Sequence, residues 1–252
     1  MRKLKIPTNL TALAYKSIKE YILEGGLDED SRLTEEFLSG QLGISKSPIR
    51  EALNRLEAEG LIRIEARRGA YLRSFSNKEV ADLYDVREAL EVHAVRTGVF
   101  PAAQIKELRA SVKRLRGHLK ANDRTKYIDE DVSFHAAIAR ATGNAKLCDV
   151  LENIQNQIWL FRRKTYDLSS SAAPDAHDAL IDALEKAAAE RAASGKGDRS
   201  DAEQAMSNHI SIVRKKLLEH LGETGKPGNE KAAGRKLALP VDSAASELRQ
   251  DT

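Results

Sequence analysis

The sequence predicts a mainly α-helical protein in which a small N-terminal domain precedes a larger, all-helical one. Three observations support this fold class. Charged residues make up 31% of the 252 residues and aromatic residues only 5%, which favours helices over a sandwich or barrel. Apolar residues recur with helical spacing from residue 77 to residue 221. Near the N-terminus, helical spacing instead gives way to two short runs in which apolar and polar residues alternate.

Two consecutive helices joined by a tight turn are predicted near the N-terminus. Thr34 is expected to cap the first of them, Glu35–Leu42, and Gly43 permits a tight turn after it. We expect Ser47 to cap the second helix and Pro48 to occupy its first position, where the amide that proline lacks would be unpaired.

A β-hairpin is predicted directly after these helices. Gly60 follows the second helix at a position where a positive φ commonly ends helices, and residues 61–65 and 70–73 then alternate. A helix over residues 10–24 would complete the small core, with residues 27–33 as a loop. These parts make a winged helix-turn-helix with three helices and a small hairpin wing.

Polar residues on the second helix and at the hairpin tip are candidates for DNA contacts. On the helix they lie away from the apolar residues Leu53 and Leu56, where they can reach base edges and phosphates in a major groove. The alternative is an amphipathic helix with a solvated basic face. The turn, the helix start and the wing occur together, which favours DNA binding. The candidates are Lys46, Ser47, Arg50, Asn54, Arg67, Arg68 and Gly69.

The rest of the chain predicts six helices and no strand. These helices span about 77–97, 101–119, 125–141, 145–168, 174–193 and 200–221. After them the chain becomes rich in glycine, lysine and alanine, which is typical of disorder. The predicted domains are therefore residues 1–75, residues 76–222 and a disordered tail, 223–252.

One aspartate and three histidines form a second candidate site. Asp131 and His135 lie four residues apart, on one face of a predicted helix, and His177 and His209 lie on two later helices. Histidine is scarce, at six residues in the chain, and an all-helical bundle would bring these three together near its centre. A pair at this spacing is also commonly an ordinary hydrogen bond, so that alternative stays open.

Both predicted domains resemble a known family. Residues from about 10 to 73 resemble the DNA-binding domain of GntR-type bacterial transcription regulators, most specifically through SKSPIREALNRLEAEGLI. Residues from about 77 to 221 resemble the FCD type of ligand-binding domain of the FadR-like subfamily. The matching segments are LYDVREALEVHAV, DVSFHAAIARATGN, AHDALIDAL and MSNHI. Lys46 stands where the family usually has arginine, and lysine lacks the two-pronged fit to guanine.

The resemblance implies a metal site. In the family, an aspartate and a histidine from one helix and two histidines from later helices hold a divalent transition metal, against which small carboxylates bind. By position these ligands are Asp131, His135, His177 and His209. Such a set suits Zn, Ni or Mn. Arg87 is a candidate for pairing with an effector carboxylate, and a structural salt bridge is the alternative.

These observations lead us to expect a homodimeric regulator that binds a double-stranded DNA operator and responds to a small carboxylate effector. A metal-dependent enzyme with an appended DNA-binding domain is one alternative, although no acid/base pair with informative spacing accompanies the four ligands. A purely structural metal, or a metal that is itself the signal, is another. No stretch is apolar enough for a membrane span or signal peptide, and Cys148 is the single cysteine, so we expect a cytoplasmic protein.

Overall fold

The computed structural model describes residues 10–27, 31–168, 170–194 and 197–224. The chain divides between Ser74 and Phe75 into two compact units, which we call the N-terminal unit and the C-terminal unit. The tail predicted from residue 223 lies outside the described residues, except for the end of the last helix. In the described ranges no helix is long and apolar enough to cross a membrane.

The N-terminal unit contains three helices and a three-stranded antiparallel sheet. Its elements are α1 Leu10–Leu23, β1 Arg32–Leu33, α2 Glu35–Leu42, α3 Lys46–Ala58, β2 Ile62–Glu65 and β3 Gly69–Leu72. The strand order is β1-β3-β2, with Ile64 opposite Ala70 in the hairpin. Ile18 of α1, Leu38 of α2 and Ile49 of α3 are fully or almost fully buried in its core. The predicted winged helix-turn-helix is confirmed.

The first strand corrects the loop predicted for residues 27–33. Arg32 pairs with Tyr71 and Leu33 pairs with Ala70, so the wing carries a third strand. Leu33 has no exposed surface. A strand of two residues has no measurable alternation, and its pairing depends on β3, far along the chain, so local sequence spacing could not reveal it.

The helix boundaries follow local capping signals, with one correction. The side chain of Thr34 accepts a hydrogen bond from the Phe37 amide at 3.1 Å, as expected of an N-cap. Gly43 then adopts a φ of 66°, which permits the turn. Ser47 is not the cap of α3, because the helix already begins at Lys46, after Ser45. Proline is tolerated at the third position as well as the first, since the first four helical amides need no partner within the helix.

The C-terminal unit contains the six predicted helices, and its described residues contain no strand. They are α4 Asn77–Thr97, α5 Ala102–Lys120, α6 Arg124–Arg140, α7 Ala145–Thr165, α8 Ala173–Ser194 and α9 Ser200–Thr224. A 3₁₀ turn, Tyr166–Leu168, follows α7. Ser76 caps α4 in a reciprocal arrangement with Glu79, because each side chain accepts a hydrogen bond from the other residue's backbone amide.

The core of the C-terminal unit holds polar side chains among apolar ones. Tyr84, Phe134 and Met206 are buried there, as are apolar residues from all six helices. Charged and imidazole side chains from α4, α6, α7, α8 and α9 are also buried. Burying polar groups in an apolar interior is unfavourable unless hydrogen bonds, ion pairs or a bound ion compensate. The contacts of these polar side chains therefore have to be accounted for.

Candidate metal centre and DNA-binding surface

The three histidines predicted as metal ligands form a cluster in the core of the C-terminal unit, and Asp131 lies beside it. Asp131 and His135 come from α6, His177 from α8 and His209 from α9. The Nε2 atoms of His177 and His209 are 3.2 Å apart, and Asp131 Oδ1 lies 3.7 Å from His177 Nε2. Each of the three imidazoles offers a nitrogen within 4.8 Å of the other two. Adjacent ligand atoms around an ion with bonds of about 2.1 Å lie about 3 to 4 Å apart, so the spacing suits an ion.

Three buried atoms of the predicted ligands have no hydrogen-bond partner among the described residues. They are Asp131 Oδ1, His135 Nε2 and His177 Nδ1. Leaving a buried polar atom unpaired costs about 1 to 3 kcal/mol. A divalent cation would satisfy Asp131 Oδ1 and His135 Nε2 at once, and three imidazoles with one carboxylate form a donor set that transition metals favour. The residues therefore fit a transition metal ion.

Glu91 of α4 orients His135 toward the centre. Its Oε2 bonds to His135 Nδ1, which leaves Nε2 facing the other ligands. Its Oε1 accepts a hydrogen bond from Arg87 Nε at 2.6 Å. Burial alone would raise the pKa of Glu91, but the attraction of Arg87 and His135 outweighs burial and lowers the pKa to about 2. Glu91 is therefore an ionised acceptor that fixes the tautomer of the imidazole.

Arg162 of α7 plays the corresponding part for Asp131. One of its guanidinium nitrogens bonds to Asp131 Oδ2, so the other carboxylate oxygen is left toward His177. Burial opposes ionisation of Asp131, but the charge of Arg162 and the nearby histidines together hold its pKa well below the usual range. Asp131 is thus a carboxylate with one oxygen committed to the protein and one available to an ion.

Burial keeps the other two histidines neutral. It lowers the pKa of His177 to about 3, and it lowers the pKa of His209 well below the usual range. The neutral imidazole is the form that binds metal ions. The ring of His177 stacks on Phe134 with centroids 4.1 Å apart, which holds it in place, while its Nδ1 has no partner among the described residues.

Arg87 lies beside this centre and is buried. A structural salt bridge was the alternative role that the sequence allowed for Arg87, and Arg87 does form a salt bridge, with Glu91. Arg87 also lines a small cavity of about 10 Å³, about the room one water needs, which we call the Gln155 cavity. The other residues that line it are Ile128, Asp131, Val132, Gln155, Ile158, Trp159 and Arg162.

Three residues at this centre were not predicted from the sequence: Glu91, Gln155 and Arg162. Each lies on a predicted helix, and Gln155 and Arg162 are seven residues apart, on the same apolar face of α7 as Ile158. The sequence feature that could have indicated these residues is a polar or charged residue within the apolar stripe of a helix. It could not distinguish a buried side chain from one at the edge of the stripe.

Two basic side chains near the start of α3 are paired with acidic side chains of α2. Arg50 donates from Nε to Glu35 Oε1 and from Nη2 to Glu35 Oε2, both at 2.7 Å. Lys46 bonds to Glu36. Arg50 and Lys46 are exposed, so both can exchange a carboxylate for a DNA phosphate or base without prior unfolding.

Most of the predicted DNA-contact residues line one groove between α2, α3 and the wing. These are Arg50, Asn54, Arg67, Arg68 and Gly69. Lys46 and Ser47 do not line the groove, but they are exposed at the start of α3. The groove therefore unites the helix and the hairpin tip, which the sequence could only place separately.

The wing tip contains two residues with a positive φ. Gly69 has a φ of 110°, and a Cβ atom there would lie 2.7 Å from the Leu33 carbonyl oxygen, so the position requires glycine. Arg67 adopts a positive φ of 63°, and Arg68 pairs with Glu65 at 2.7 Å. Both arginines are exposed.

Comparisons with known proteins match both units. The profile of the bacterial regulatory proteins of the gntR family matches residues 10–72, and that of the FCD domain matches residues 82–211. The HTH-type transcriptional regulator YdhC of Bacillus subtilis is 32% identical over 168 residues, 65% of this chain and 75% of the relative. A probable D-xylose utilization operon transcriptional repressor of Paenarthrobacter nicotinovorans is 26% identical over 192 residues, 75% of this chain and 80% of the relative.

Solved structures agree on the fold. The Escherichia coli protein McbR/YncC superposes with a TM-score of 0.68 at 19% identity, over 87% of this chain and all of the other. A GntR regulator from Rhodococcus gives the same TM-score and coverage at 17% identity. On the two matched profiles, the chain belongs to the GntR family of bacterial regulators and carries an FCD domain, which makes it a DNA-binding transcriptional regulator and not an enzyme.

Proposed function

We propose that the chain is a ligand-responsive repressor whose affinity for its operator is controlled by a small organic acid bound at a metal site in the FCD domain. The observation that carries this proposal is the cluster of three buried imidazoles, beside which the unpaired oxygen of Asp131, Oδ1, lies 3.7 Å from His177 Nε2. A relative from Paenarthrobacter nicotinovorans is named as a probable repressor of a D-xylose utilization operon, and one from Bacillus subtilis is named as a repressor of the gluconate operon. These names support repression as the mode.

In this proposal, Asp131, His135, His177 and His209 hold a divalent Zn, Ni or Mn ion. A bound ion supplies a position at which a carboxylate oxygen of the effector can coordinate. Glu91 fixes the orientation of His135, and Arg162 fixes that of Asp131. Arg87 and Arg162 place hydrogen-bond donors beside the effector.

The DNA contacts are assigned to α3 and the wing. Arg50 and Lys46 contact base edges or phosphates of a major groove, with Ser47 and Asn54 beside them. Arg67, Arg68 and Gly69 approach the backbone or minor groove at the wing tip. The regulator acts in the cytoplasm. It acts as a homodimer, because a twofold dimer matches two operator half-sites. Effector binding changes operator affinity by shifting the population of dimers competent for DNA.

Metal analysis with thermal unfolding tests the site. We expect about one divalent ion per chain in protein purified without chelator, and a lower melting temperature after chelation. An acid effector should raise the melting temperature of metal-loaded protein and not that of metal-free protein. If the chelator lowers the melting temperature and no acid in a broad panel raises it, the ion is structural and the effector assignment is wrong.

A further inference from the structure

We propose that the effector of this FCD site is a dicarboxylate, a dianion, rather than a monocarboxylate. The inference rests on the proposed function and specifies the class of acid. Two independent features carry it: the charge balance of the buried side chains around the metal ligands, and the hydrogen-bond donors that line the Gln155 cavity.

The buried charges at the centre balance one another. Four charged side chains are buried among the residues that the structure describes: Arg87, Glu91, Asp131 and Arg162. They form two pairs, Arg87 with Glu91 and Arg162 with Asp131. The side chains of these four residues are at most 7% exposed, so water screens them little. The side chains therefore sum to zero charge when the imidazoles are in the neutral form that binds metal.

A divalent ion adds two positive charges to this balanced set. Unpaired charge in a poorly solvated interior is strongly unfavourable, and the protein offers no further buried carboxylate among its described residues to offset it. A monocarboxylate would neutralise only half of the excess. A dicarboxylate would neutralise all of it, so the charge balance favours a ligand with two negative groups.

The Gln155 cavity offers a place for the second carboxylate. Gln155 is 4% exposed, and its Nε2 has no hydrogen-bond partner among the described residues. Arg87 and Arg162 line the same cavity, and guanidinium groups only donate hydrogen bonds. Asp131 is the one acidic residue among the lining side chains, and its Oδ2 is already bonded to Arg162. The hydrogen-bond donors of Gln155, Arg87 and Arg162 therefore make this cavity suited to an anionic oxygen of a ligand.

The cavity has to enlarge before it can hold a carboxylate. Its volume of about 10 Å³ accommodates one water and not a carboxylate, so the lining side chains must move when a ligand enters. Because the cavity touches Asp131 itself, a short acid can place one carboxylate at the ion and the other at Gln155.

Matched acids test this inference. Full-length protein loaded with Zn²⁺ is titrated by calorimetry with propionate and malonate, butyrate and succinate, and valerate and glutarate, each pair differing by one carboxylate. We expect at least one dicarboxylate to bind at least tenfold more tightly than its partner. Equal affinity within every pair would overturn the dianion inference and leave an acid-binding regulator standing. No binding by any acid, with one Zn²⁺ bound per chain, would overturn the proposed function as well. Sulfate is included, and binding of sulfate without any dicarboxylate would also overturn the inference.

Two variants of Gln155 assign the second subsite. Gln155→Met removes the donor while keeping the length of the side chain, and it should reduce the preference for the dicarboxylate severalfold with little change for the monocarboxylate. Gln155→Glu supplies one negative charge from the protein, so its preference should move toward the monocarboxylate. Circular dichroism and Zn²⁺ content establish that each variant is folded and loaded. An unchanged preference in whichever variant is folded and loaded would overturn the assignment to Gln155. If neither variant folds and loads Zn²⁺, Gln155 is a structural residue and its assignment as the second subsite is also overturned.

Discussion

The two units of this regulator use the same kind of ion pair in opposite environments. On the N-terminal unit, Arg50 pairs with Glu35, and their side chains are 62% and 28% exposed. In the C-terminal unit, Arg87 pairs with Glu91, and their side chains are 3% and 0% exposed. An exposed pair gains little from its contact, because water and salt screen both charges. A buried pair is costly to break, because either charge left alone has no solvent to stabilise it.

This difference matches the tasks that we propose for the two units, DNA contact and metal binding. A side chain that contacts DNA has to release its partner when a phosphate or base arrives, and exposure lets Arg50 do so at little cost. A group that orients a metal ligand has to stay where it is, and burial holds Glu91 against His135. The surface pairs allow exchange, and the buried pairs fix geometry.

The largest effect should come from breaking a buried pair. Glu91→Ala leaves the charge of Arg87 buried without its partner and should lower the free energy of unfolding by about 3 to 5 kcal/mol. The measurement is urea unfolding of metal-free protein, followed by the fluorescence of Trp159, the only tryptophan in the chain. Asp82→Ala is the matched control, because it breaks an exposed pair with Lys78 on the same helix. Equal destabilisation by the two variants would contradict the contrast between buried and exposed pairs.

Removing a metal ligand should have the next largest effect. His209→Ala takes away one of the three imidazoles and should weaken Zn²⁺ binding by roughly 100-fold or more, since even outer partners of ligands contribute 10- to 100-fold. Competition with a chromophoric chelator measures the affinity. His93→Ala changes an exposed histidine of α4 and should leave it unchanged. Zn²⁺ affinity that is equal in both variants would exclude His209 from the site.

The buried histidines should also make the metal-free protein sensitive to acid. The pKa of His177 is lowered from 6.5 to about 3, so between these values the unfolded chain binds a proton that the folded chain does not. Stability should therefore fall as the pH falls below about 6.5. The pKa of Glu91 is lowered from 4.5 to about 2, so its contribution to stability is lost only below about pH 4.5. Any loss of stability between pH 6.5 and pH 4.5 is therefore not due to Glu91. Urea unfolding at pH 7.0, 6.0 and 5.0 measures the free energy of unfolding. A free energy of unfolding that increases from pH 7.0 to pH 5.0 would contradict the burial of neutral imidazoles.

A smaller effect is expected from the DNA-contact surface. Arg50→Ala should weaken operator binding roughly tenfold and reduce its salt dependence if the contact is to phosphate. Fluorescence anisotropy with DNA from the region upstream of the protein's own gene measures both. Arg55→Ala is the matched control, because Arg55 is exposed on the same helix, pairs with Glu59 and does not line the groove. Unaltered affinity in Arg50→Ala would exclude Arg50 from the DNA contacts.

The sequence predicted those parts of the fold that depend on neighbouring residues. The cap Thr34 and the turn residue Gly43 were identified because capping and positive φ have local residue preferences. Strand β1 was missed because its two residues form a strand only by pairing with β3. The start of α3 was misplaced by two residues, because Ser45 and Ser47 are both acceptable caps by residue type.

The candidate metal site was predictable only in part. The spacing of Asp131 and His135 marked one helix face, but His177 and His209 joined them through the scarcity of histidine and the resemblance to FCD domains. Glu91, Gln155 and Arg162 could not be assigned, because their roles depend on which helices pack together and on the absence of solvent around them. Hydrophobic periodicity reports the buried face of a helix, not the neighbour that a polar side chain will meet there.

The central claim is that the FCD site controls operator affinity, and one measurement tests it directly. Zn²⁺-loaded full-length protein is bound to labelled DNA from its own upstream region, and anisotropy is followed while succinate, or the acid that binds most tightly, is added. We predict that the acid lowers operator affinity of the wild type at least fivefold, which corresponds to a coupling typical of allosteric proteins. His209→Ala should bind the same DNA and not respond to the acid. An acid that binds the wild type without altering its operator affinity, or an equal response in His209→Ala, would contradict the account.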